Sequence, residues 1–62
     1  MKSKHSFVVG KKVILQDPIP GLPAGSQGHV TSILNGVGCE VEFRKDNKPC
    51  FKAVSFHLLR KG

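Results

Sequence analysis

Cys39-Glu40-Val41-Glu42-Phe43-Arg44 is the run on which the fold turns. Apolar Cys39, Val41 and Phe43 alternate with charged Glu40, Glu42 and Arg44. Successive side chains of an extended chain point to opposite faces, so this run predicts a strand with one buried and one wet side. Before it, Asn35-Gly36-Val37-Gly38 is expected to turn a hairpin, because Asn and Gly both tolerate positive φ. That hairpin joins it to a strand over residues 28–34, GHVTSIL. After it, Lys45-Asp46-Asn47-Lys48 reads as a second turn. Pro49 cannot donate to a ladder, so it marks the start of a further strand that runs to about Val54.

Further out, Gly10 precedes KVILQ, residues 12–16, whose β-branched and aliphatic side chains suit a first strand. Ser55-Phe56-His57 reads as a single 3₁₀ turn, and Leu58-Leu59-Arg60 as a last short strand. Apolar residues recur with helical spacing only weakly, near the C-terminus. The expectation is an all-β domain: a five-stranded SH3-like barrel with a long first loop and one 3₁₀ turn before the last strand.

The long first loop is DPIPGLPAGSQG, residues 17–28. Prolines at 18, 20 and 23 fix φ and lower the entropy of the unfolded chain, which a flexible Gly/Ser linker does not do. An ordered loop is therefore expected, with Ile19 and Leu22 either closing the thin core as a lid or joining Pro20 and Pro23 in an apolar docking spot. Such a spot would receive a protein partner or a second copy of the chain.

The chain resembles small SH3-like domains of the form F-x-x-G-x-x-V, long loop, G-x-x-G-x-V, hairpin, V-E-F, strand, L-L. Here these are Phe7 to Val13, Gly25 to Val30, Val41-Glu42-Phe43 and Leu58-Leu59. The strongest resemblance is to a family of stand-alone bacterial domains with a P-G-L-P-x-G segment like Pro20-Gly21-Leu22-Pro23-Ala24-Gly25, a family that implies no activity. More distantly, KOW-type modules are similar around G-x-x-G-x-V, which would imply RNA or protein contact. The SH3-like small subunits of photosynthetic complexes, in photosystem I and in the photosynthetic NADH dehydrogenase-like complex, are similar around Lys52-Ala53-Val54-Ser55-Phe56, which would imply non-catalytic docking. Type II dihydrofolate reductases are also small SH3-like barrels, assembled as tetramers, and are the remote alternative. Their V-Q-I-Y signature would fall near Pro49-Cys50-Phe51-Lys52, where it is absent.

With 62 residues the chain has room for one domain, residues 7–62, behind a basic N-terminal tail of residues 1–6 whose composition does not demand order. Its longest apolar run, Val13-Ile14-Leu15, is far short of the roughly 20 residues of a membrane span, and Phe7-Val8-Val9 is too brief for a secretory signal. A cytoplasmic protein without membrane contact is expected. The formal net charge of +6 is spread along the chain and favours an anionic partner, nucleic acid or acidic protein. Arg44, Lys45, Lys48 and Lys52 are the candidate anion-binding residues, close enough to act within one Debye length of about 8–10 Å. Base stacking would need Phe51 or Phe7 to be exposed, since Trp and Tyr are missing. No catalytic group, cofactor or metal site is expected. Glu40 and Glu42 share an outer face with Arg44, while Cys39, Cys50, His5, His29 and His57 match no pattern of close ligand pairs.

Overall fold

The computed structural model describes residues 7–62, so the expected N-terminal tail, residues 1–6, lies outside the described residues. Strands β1 (Lys12–Leu15), β2 (Gln27–Ile33), β3 (Gly38–Lys45) and β4 (Lys48–Ser55) are followed by a 3₁₀ turn, η1 (Phe56–Leu58), and β5 (Leu59–Lys61). All neighbours are antiparallel, in the order β4-β3-β2-β1-β5. The all-β reading therefore stands, with strand bounds within a residue or so of those expected. Leu58 is the exception in kind, because it closes η1 instead of opening β5. The ladder is open between β4 and β5, so the five strands form one sheet and not a closed barrel. No helix of the described residues is long and apolar enough to cross a membrane.

Period-two alternation builds the core. Cys39, Val41 and Phe43 of β3 are fully buried, as are Val13 and Val30, and they pack with Leu15, Val54, Phe56 and Leu59. Phe7 joins them by stacking on Phe56, ring centroids 5.5 Å apart, so it is not available to a nucleobase. Gly28 lets β2 cross this core closely: a Cβ there would lie 2.5 Å from the Glu42 carbonyl oxygen and 2.9 Å from Val41 Cγ1. Thr31 marks a register shift in β2, and its hydroxyl donates to the Glu40 carbonyl at 3.1 Å and carboxylate at 3.0 Å. Gln16 ties the end of β1 to η1 and β5, its backbone N–H donating to Leu58 O at 2.7 Å and its side-chain amide to the carbonyls of His57 and Leu59.

Of the two turns flanking β3, Lys45 to Lys48 turns where expected, while the Asn35-Gly36 turn works by a different mechanism. Asp46 and Asn47 both have positive φ, 52° and 65°, and only these two residues separate Lys45 from its partner Lys48. This is the tight hairpin with left-handed residues at both corners. Leu34 to Val37, by contrast, span four positions between β2 and β3, and Asn35 and Gly36 are absent from the positive-φ set. Asn35 instead acts through its side chain, whose Oδ1 accepts from the N–H of Val37 at 2.8 Å and of Gly38 at 2.9 Å.

The proline loop is ordered by its own hydrogen bonds. Ile19 and Leu22 exchange backbone bonds of 3.0 and 2.9 Å around Pro20-Gly21, with Gly21 at φ +88°. Proline then glycine at the two corners, the second with positive φ, is the arrangement of a type II turn. A second turn closes between Pro23 and Ser26, and Gly25 N–H donates to Leu15 O at 2.8 Å, tying the loop back to β1. Leu22 is buried at 4% exposure, and Ile19 packs half-buried against the core. The lid is thus the role that Leu22 fills. Its side chain is not offered to a partner, because burying it contributes about 1.5–3 kcal/mol that exposure would forfeit.

Candidate functional site

The β3–β4 hairpin carries Arg44, Lys45, Lys48 and Lys52, and its register divides them. Lys45 continues the face of Val41 and Phe43; Lys48 is its direct partner and Lys52 pairs with Val41, so the three lysines share the inner side of the hairpin. Arg44 follows Glu40 and Glu42 onto the outer side. The expected cluster of four is therefore a group of three lysines, with the arginine on the opposite face because strand side chains alternate.

Two of the lysines, Lys45 and Lys52, reach the proline loop. Lys45 Nζ donates to the Gly21 carbonyl at 2.7 Å, and a Cβ placed on Gly21 would sit 3.9 Å from Lys52 Nζ. The type II turn of the loop thus lies beside the inner face of the hairpin, with Pro20 and Pro23 exposed next to it. None of the three lysines is paired with a carboxylate among the described residues, where the sole ion pair is His29 Nε2 to Glu42 Oε1 at 3.5 Å. Lys45 directly opposite Lys48 is an arrangement that costs stability, since like charges on facing strand positions repel.

Phe51 is the side chain whose exposure the sequence leaves open. It stands on the outer side of β4, opposite Glu42, and is 55% exposed. On the same outer face, Lys12, Gln27, His29, Glu42 and Arg44 line a depression of about 260 Å³. His29 faces outward there, as expected from its alternation with buried Val30. Mixed charge makes this a less selective surface than the lysine side, because Glu42 stands among the cations.

The two cysteines are separate free thiols. Cys39 is buried beside Val54, and burial raises its pKa; Cys50 is half-buried opposite Phe43. No group of three or more His, Cys, Asp and Glu side chains that could hold a metal occurs among the described residues. Glu40 and Glu42 are engaged separately, one by Thr31 and the other by His29. No family model, curated protein or solved structure matches the chain.

Proposed function

We propose that the protein is a small, non-enzymatic, SH3-like binding module that grips an anionic partner with the inner face of its β3–β4 hairpin. The facing pair Lys45–Lys48, with Lys52 beside it and no carboxylate among the described residues to neutralise the three, carries this reading. A protein selected for stability alone would not set like charges opposite one another; a bound anion turns that cost into attraction. Nucleic acid and acidic protein both present such chemistry. Pro20 and Pro23 of the docking loop would add apolar contact at the rim of the same surface. A reducing cytoplasm would suit the two free thiols.

Retention on an immobilised polyanion such as heparin, eluted with rising salt, tests the proposal. Charge reversal of Lys48→Glu with Lys52→Glu is expected to abolish retention at salt where the parent chain still binds. Arg44→Glu, on the other face, should shift elution much less. Equal loss from both variants would mean that overall charge and not this face does the binding.

A further inference from the structure

Pro49 and Phe51 mark where β4 could accept another strand. Among the described residues β4 is an edge of the open sheet, paired only with β3. In a two-residue hairpin the flanking residues exchange both backbone bonds, and pairs then alternate along the ladder. Lys45–Lys48 is such a bonded pair, so Arg44–Pro49, Glu42–Phe51 and Glu40–Ala53 are the pairs whose β4 members direct their backbone groups away from β3. Pro49 has no N–H to present, which blunts the start of the edge. Phe51 and Ala53 each present an N–H and a C=O, and among the described residues no backbone bond outside the ladders reaches either one. The opposite edge, β5, is only Leu59–Lys61 and carries Arg60 and Lys61, the short charged form that discourages pairing.

The two recognition elements of β4 lie on opposite faces. Exposed Phe51, with Pro49 and Ala53, offers apolar surface on the outer side, while Lys48 and Lys52 offer positive charge on the inner side. A nucleobase stacked on Phe51 would lie over Glu42 on the face of mixed charge, with Lys48 and Lys52 on the opposite side of the strand. An extended peptide has no such conflict, because its own side chains alternate between the two faces. A second copy of β4 would set Lys48 and Lys52 against lysines, between two chains of charge +6.

We infer that the partner is an extended peptide alternating acidic and apolar residues, which adds as a strand to β4 along Phe51–Ala53, its acids meeting Lys48 and Lys52. Main-chain bonds then supply affinity and the alternation supplies selectivity. This assignment rests on the anion-binding reading above and narrows it to one partner class.

Fluorescence anisotropy with a short labelled peptide alternating glutamate and valine tests it. The controls are a block-ordered peptide of the same composition and an oligothymidylate. The alternating peptide should bind at least about tenfold tighter than the block peptide, and Ala53→Pro should remove about tenfold of that affinity while leaving heparin retention unchanged. In the unaltered protein the amides of Phe51 and Ala53 should gain protection from hydrogen exchange when the peptide binds. Absence of that protection, equal binding of both peptides, or tighter binding of the oligonucleotide overturns the strand-addition assignment. Loss of heparin retention in Lys48→Glu with Lys52→Glu would still uphold the anion-binding reading, whereas unchanged retention would overturn both.

Discussion

The two turns at the ends of β3 solve the same problem with different parts of the chain. Between β3 and β4 only Asp46 and Asn47 are available, so the backbone must reverse through two left-handed residues. Between β2 and β3 there are four positions, and one side chain, that of Asn35, satisfies the backbone donors of Val37 and Gly38. The surfaces differ as well: Lys45 and Lys48 flank the short turn, whereas Leu34 and Val37 of the longer one are exposed and apolar. A hairpin that depends on backbone geometry leaves its flanking side chains free for function, and one that depends on a side chain has less to spare.

The largest break in this comparison is expected at Asn47. Asn47→Val forces a β-branched residue to positive φ and should cost about 2 kcal/mol in chemical denaturation. Asn47→Gly, which accepts that φ freely, should match or slightly exceed the parent chain. Asn35→Ala should cost about 1 kcal/mol, through the lost acceptor for two N–H groups in a turn where water can partly replace it. Gly36→Ala should stay within about 0.5 kcal/mol, since no atom lies within 4 Å of the added Cβ and no positive φ is required. If Gly36→Ala proved as costly as Asn47→Val, the division between the two turns would fail.

A smaller effect separates the thiols. Burial raises the pKa of Cys39, so the folded state keeps its proton at an alkaline pH where the unfolded chain has lost it. The unfolded state then binds fewer protons, and stability should fall as pH rises past the ordinary thiol range. Cys39→Ser should flatten that decline in melts at increasing pH. A thiol reagent should reach half-buried Cys50 well before Cys39.

Much of the fold can be read from side-chain types because it rests on alternation and on proline. Cys39 to Arg44 allow one pleat, and Pro49 cannot lie where a central ladder needs its N–H. The Asn35-Gly36 signal points to the wrong mechanism, because a dipeptide that permits positive φ does not compel it. Compulsion comes from the two-residue gap between Lys45 and Lys48, where side-chain types show a turn but not that both corners must be left-handed. Gln16 reads in the sequence only as the end of a strand, since its partners lie more than forty positions away. In the candidate site, Lys45, Lys48 and Lys52 are legible as a basic group. Alternation already sets Arg44 on the outer face; that Lys48 and Lys52 join Lys45 on the inner one follows only once β3 and β4 are set in register.

β1 sits between β2 and β5, pairing Val13 with both Gly28 and Lys61. One side of the strand can therefore be completed by a short excursion along the chain, and the other only by nearly its whole length. Loop closure over such a distance precedes any reward from the contact, which slows folding relative to local hairpins. The β2–β3–β4 meander, made of neighbouring hairpins, is expected to form while β1 still has an open flank. The bonds from Gln16 to His57, Leu58 and Leu59 would then be among the last made, so the order in which the molecule assembles is set by where its final strand docks.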